Sequence, residues 1–143
     1  MDREALRQMM EELIPFNRFL GIRVLEVTEG GARLSLPFRP ELVGDPLRPA
    51  LHGGVLSTLA DVAGGMAMWA DIEDPMARVA TIDLRVDYLR PARLETLDAR
   101  AHVVRQGNRV GVVDVVIFHP STATETIATG KAVYNIVVTR APS

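Results

Sequence analysis

Hydrophobic and polar positions along this chain fall into two periods. Residues 22–28 (IRVLEVT) and 32–38 (ARLSLPF) alternate in the manner of strands around Glu29-Gly30-Gly31, which marks a hairpin. Strand-rich runs return near 78–89, 95–106, 109–119 and 126–139, with Gly107-Asn108 as a tight turn between two of them. A helical repeat replaces this pattern at two places. The first is MDREALRQMMEELIPF, where Leu6, Met9, Met10 and Leu13 form an apolar stripe among charges and predict a short amphipathic helix. The second is the uncharged run from Leu51 to Ala70, broken only by Asp61. Between hairpin and long helix, Pro40, Gly44, Pro46 and Pro49 crowd a stretch that reads as loop, and Ile72-Glu73-Asp74-Pro75 ends the helix. The pattern predicts an α+β fold: one long, apolar central helix wrapped by the concave face of an antiparallel sheet, with the four last strands as a meander.

The central run also holds the first candidate for chemistry. An ionised carboxylate in so apolar a segment loses hydration and must be compensated or used, and Asp61 is the only charge there. At the other end, His52-Gly53-Gly54 opens a helix with glycines that allow close backbone approach and with N–H groups that have no intrahelical acceptor. Such a terminus favours developing negative charge. His52 and Asp61 are nine residues apart, which puts them on opposite sides of one helix and about 13 Å apart. If both serve one substrate atom, the helix start of one subunit must meet the Asp61 of another, so a homodimer is expected.

Composition narrows the setting. With 143 residues and 48% hydrophobic content, and no linker or low-complexity stretch, the chain reads as a single domain over 1–143. A net charge of −2 without a basic cluster argues against nucleic acid. The absence of cysteine removes disulfides, thiol nucleophiles and zinc-thiolate sites, and His102 and His119 have no ligand cluster around them, so no metal is expected. The charged N-terminal segment is unlike a signal peptide, and the run 53–70 carries four glycines, Ser57, Thr58 and Asp61, unlike a membrane span. A cytoplasmic location is the expectation.

Three segments together are distinctive: LHGGVLSTLADVAGGMA, ATIDLRVDYLRPAR and VVRQGNRVGVVDVVI. His-Gly-Gly with an Asp eight residues after the first Gly, followed by Thr-x-Asp-Leu and Tyr-Leu-Arg-Pro-Ala, resembles the hotdog-fold acyl-CoA thioesterases of the phenylacetate-pathway and thioesterase superfamily member 2 type. The resemblance covers about residues 15–138. It implies a hotdog fold whose subunits join their sheets as homodimers, which then pair as homotetramers.

The resemblance also implies roles. The Gly53 N–H, with Gly54 beside it, would bond the thioester carbonyl oxygen, and Asp61 of the partner would attack that carbonyl or deprotonate a water. Thr81 would position the water or the carboxylate, and His52 belongs to the same motif, as a group at the site or as a packed neutral imidazole. Coenzyme A, part of the substrate rather than a cofactor, would meet Tyr88, Arg90, Arg93, Arg105, Gly107 and Arg109, its phosphates drawing the arginines. One position departs from the pattern: six residues before the His, where an Asn or Gln is usual, stands Pro46, with Asp45 beside it. A non-catalytic acyl-CoA binder and a hydroxyacyl-thioester dehydratase are the alternatives. The second lacks its histidine, since none follows Asp61 before His102.

Overall fold

The computed structural model describes residues 2–139. Two short helices, α1 (Arg3–Gln8) and α2 (Pro15–Leu20), flank a π-helical turn at Met9–Leu13 and precede the hairpin β1 (Arg23–Thr28) and β2 (Gly31–Leu36). A small ribbon, β3 (Val43–Asp45) and β4 (Ala50–Leu51), leads into α3 (Gly53–Ala70). The chain closes with β5 (Arg78–Tyr88), β6 (Leu97–Gln106), β7 (Val110–Phe118) and β8 (Thr126–Val137). Six strands pair antiparallel in the order β1-β2-β6-β7-β8-β5. The sheet curls around α3, the hotdog arrangement.

The meander expected of the last four strands holds for β6, β7 and β8 but not for β5, which lies at the sheet edge against β8. The physical reason is the connection. Leu89-Arg90-Pro91-Ala92-Arg93 is too long and too proline-restricted for a hairpin, so it crosses the end of the sheet instead. Leu89 and Arg90 donate backbone N–H bonds to the Ile127 carbonyl, and the Arg93 N–H donates to His119 beyond β7.

Small side chains let the sheet close on the helix. Ala60, Ala63 and Ala67 of α3 and Ala99, Ala101, Ala128 and Ala132 of the sheet are all buried, with Leu34, Leu36, Leu56, Leu59, Met66 and Ile117 filling the space between. Leu59 is fully buried, so Leu59→Ala is expected to lower unfolding free energy by about 2–5 kcal/mol, read by urea denaturation.

β5 carries a bulge between Thr81 and Asp83. Val79 and Thr81 face α3 before it, Leu84, Val86 and Tyr88 after it, and the extra residue, Ile82, stands 57% exposed. The outer edge of β5 has no strand partner among the described residues.

Two further differences from the sequence reading are local. Ile14-Pro15 divides the N-terminal segment because Pro15 lacks an N–H to continue a helix and instead opens α2. Leu6 and Met10 of the expected stripe are buried, whereas Leu13, the last residue of the π-helical turn, is exposed. The proline-rich stretch also gains the β3–β4 ribbon. There Gly44 lies so close to His52 that a Cβ would sit 2.5 Å from the His52 Cα. No helix among the described residues is long and apolar enough to cross a membrane.

Candidate functional site

Two groups of residues meet at α3. The first is its start. His52 occupies the N-cap and its Nδ1 accepts the Gly54 N–H at 2.8 Å, which leaves the ring proton on Nε2. Tyr88 folds back from β5, donates to the Gly53 carbonyl at 2.9 Å, and pairs with the Ser57 hydroxyl. Thr58 donates to the Gly54 carbonyl at 2.8 Å. The Gly53 N–H is left without a partner among the described residues. The pairing expected for Gly54 therefore changes: its N–H is taken by His52, and Gly53 alone offers a donor at the helix end. A side chain at Gly53 would press on the Tyr88 ring, 3.3 Å from the Cβ position.

The second group surrounds Asp61, two helical turns on. Thr81 donates to Asp61 Oδ1 at 2.7 Å. Tyr134 of β8 reaches the same turn, with its hydroxyl 2.8 Å from the Asp61 carbonyl oxygen and 3.3 Å from Oδ1. Asp61 Oδ2 has no partner among the described residues. Burial, reinforced by the neighbouring Asp61 charge, raises the Tyr134 pKa well above the usual phenol range, so this hydroxyl remains a donor at working pH.

Tyr134 was not legible in the sequence. Its position continues the inward alternation of Ala132 and Ile136, but nothing local shows that the ring ends at a carboxylate. The glycine pair Gly64-Gly65 is the trace it leaves, since a Cβ at Gly64 would overlap the Tyr134 hydroxyl.

On the exposed side of α3, half-buried Thr58, Asp61, Val62, Gly65 and Trp69 recur at helical spacing as a strip that the chain's own sheet does not cover. Gly53 and Asp61 are eight residues apart on this helix, about 12 Å along its axis, so one chain does not bring them to the same atom.

The arginines separate into two sets. Arg93 is enclosed by its own chain, with Glu95 and Glu125 each at 3.3 Å and the Thr122 hydroxyl at 2.8 Å, and Arg90 lies 3.7 Å from Glu125. The Ser121 hydroxyl, and then Arg93, hold the Glu95 carboxyl below its ordinary range. His119 is fully buried beneath this cluster, accepting from the Arg93 N–H at 3.0 Å and pairing with the Thr96 carbonyl at 2.9 Å. Arg105 and Arg109 flank the Gly107 turn at the other end of β6 and have no ion pair among the described residues. The length of β6 puts the two sets about 30 Å apart, too far for one chain to present both to one ligand.

Asp45, the acid beside Pro46, accepts the Leu47 and Arg48 N–H groups, each at 3.0 Å, and so serves its own turn. No group of His, Asp or Glu among the described residues is arranged to hold a metal ion.

The family model for the thioesterase superfamily matches residues 49–126. A Halobacterium salinarum protein, VNG_1336C, named as a candidate esterase, is 41% identical over 117 residues, covering 80% of this chain and 77% of its own. The Escherichia coli medium/long-chain acyl-CoA thioesterase YigI is 35% identical over 127 residues, covering 78% and 82%. A crystal structure of a thioesterase family protein from Silicibacter pomeroyi superposes with a TM-score of 0.83 at 27% identity, covering 96% of this chain and 99% of that one.

Proposed function

This chain belongs to the thioesterase superfamily and is a thioester hydrolase, and from that membership we propose an acyl-CoA substrate with Asp61 as its catalytic carboxylate. The observation that carries the assignment is the asymmetry of Asp61: Oδ1 is held by Thr81 and Tyr134, whereas Oδ2 has no partner among the described residues, on a residue of the uncovered strip of α3. The thioester carbonyl accepts the Gly53 N–H, whose fixed direction at the helix start stabilises the oxyanion as it forms. Oδ2 then either takes a proton from the attacking water or attacks the carbonyl carbon, expelling the CoA thiolate and leaving an anhydride for water to hydrolyse. Thr81 orients the carboxylate in both routes. His52 shapes the helix start by capping Gly54, without a proton-transfer role.

Since Gly53 and Asp61 of one chain are too far apart, the working site joins two copies. The free edge of β5 supplies the join. Thr81 lies beside Asp61 and Tyr88 beside Gly53, so a two-fold antiparallel pairing centred on Arg85, with the extra residue Ile82 bulged out, sets Thr81 of one copy across from Tyr88 of the other. Two sites result per homodimer, and two such dimers make the proposed homotetramer. Arg105 and Arg109, free of internal ion pairs, are the stronger candidates for the CoA phosphates, with Gly107 between them. Arg90 and Arg93 brace the crossing segment.

The sequence resemblance implies an aryl-acyl or a short-to-medium-chain acyl group; the name of the medium/long-chain YigI relative favours the aliphatic class, and the two meet at medium chain length, which we take as the preferred acyl class. The test is steady-state release of CoA thiol from phenylacetyl-, benzoyl-, hexanoyl-, decanoyl- and palmitoyl-CoA. Hexanoyl- and decanoyl-CoA are expected to give the highest kcat/KM. Binding of these thioesters without turnover would replace the enzyme reading with that of an acyl-CoA binder.

A further inference from the structure

Tyr134 is a buried ionisable side chain that neither the helix-start motif nor the expected site accounts for. It is 1% exposed, lies on β8, and directs its hydroxyl at a single helical turn of α3. Two contacts fix that hydroxyl: it donates toward the Asp61 carbonyl at 2.8 Å and lies 3.3 Å from Asp61 Oδ1. The helix makes room for it with Gly64, where any Cβ would occupy the space of the hydroxyl.

We propose that Tyr134 is a positioning residue for the hydrolysis: by holding the Asp61 backbone and Oδ1 together with Thr81, it fixes the carboxylate rotamer and makes Oδ2 the reacting oxygen. The inference rests on the assignment of Asp61 as the catalytic carboxylate. A carboxylate on an uncovered helix face can turn about its side-chain torsions. One hydroxyl leaves the plane of the carboxylate free to pivot about that bond. A second hydroxyl, approaching from a different strand and anchored to the helix backbone, removes the pivot. Fixing the attacking or proton-accepting oxygen before substrate arrives lowers the reorganisation left for the transition state. Tyr134 is also the titratable side chain in contact with Asp61 among the described residues, and Thr81 contributes no charge of its own.

The test compares Tyr134→Phe with the native enzyme and with Asp61→Asn. Removing one hydroxyl without changing the ring is expected to lower kcat about tenfold while KM stays within about twofold, the signature of a group acting only once substrate is bound. The acid limb of the kcat/KM profile is expected to move to higher pH, because the ionised carboxylate has lost a donor. A merely structural tyrosine would lower thermal stability and leave both the profile and kcat of the folded fraction unchanged, and that result overturns the proposal.

A second measurement needs no Tyr134 variant. The chain holds two tyrosines, Tyr88 and Tyr134, so 13Cζ-tyrosine labelling gives two resonances. The Tyr134 resonance is expected to remain that of a neutral phenol through alkaline titration and to shift in Asp61→Asn. If it does not respond to Asp61→Asn, the hydroxyl does not report on the carboxylate and the proposal fails. The two levels of the reading separate cleanly: full activity in Asp61→Asn removes the catalytic assignment itself, whereas loss in Asp61→Asn with full activity in Tyr134→Phe removes only the positioning role.

Discussion

Asp61→Asn is expected to lose at least about two orders of magnitude in kcat on the best acyl-CoA substrate, with KM changed by no more than about threefold. The amide has nearly the shape of the carboxylate, and its oxygen can still accept from Thr81 and Tyr134, so the local packing is kept. What disappears is the second oxygen as a base or nucleophile, since an amide nitrogen does neither. Thiol release by the purified variant, alongside its circular dichroism and its affinity for CoA, checks each part. A variant that folds and binds but hydrolyses at the native rate would put the chemistry elsewhere.

The second large effect is expected from Gly53→Pro. Proline at the first position of a helix costs little, because the N–H it lacks has no intrahelical partner and its fixed φ suits the helix. The preceding residue, His52, already has φ −62° and ψ 132°, the extended geometry that proline imposes on its predecessor. The substitution therefore deletes the proposed oxyanion donor with the helix retained. The Tyr88 ring must give by a few tenths of an ångström, which its position at the surface allows. Loss of one such donor lowers kcat by about 10²–10³-fold.

Mixing the two inactive variants then tests the join between copies. In a heterodimer of Asp61→Asn with Gly53→Pro, one site receives both intact groups and the other receives neither. Random exchange of subunits makes half the dimers mixed, so about a quarter of all sites regain function. Recovery after co-refolding supports a site shared between copies. No recovery from a mixture shown by mass spectrometry to contain heterodimers would place Gly53 and Asp61 in separate roles.

How far this could be read from the chain alone depended on whether each feature is local. The long helix, its cap at His52 and the isolation of Asp61 are written in consecutive residues. So are the strands, whose alternation places Ala99, Ala101, Ala128 and Ala132 inward. Strand order is different in kind: β5 follows α3 in sequence, yet it settles beside β8 because the Pro91 segment crosses the sheet end. The fate of each N–H was equally hidden. Gly53 and Gly54 look equivalent as letters, and only the rotamer of His52 decides that one is consumed and the other left open. Arg93 likewise looked like a phosphate binder until Glu95, Glu125 and Thr122, distant or adjacent in sequence, closed around it. Tyr134, 73 residues from Asp61, is the extreme case.

The bulge in β5 sets a rule for how this family can vary. Thr81 and Tyr88 are an odd number of residues apart, and a regular strand would send their side chains to opposite faces. The additional residue at Ile82 restores the parity, so that one hydroxyl reaches Asp61 while the other reaches Gly53. Loss of that single codon would turn the Thr81 hydroxyl toward solvent without altering any residue at the site. A descendant lineage that drops it can keep the pair of contacts only by moving the threonine one place along the strand, so gaps and hydroxyl positions in β5 should change together.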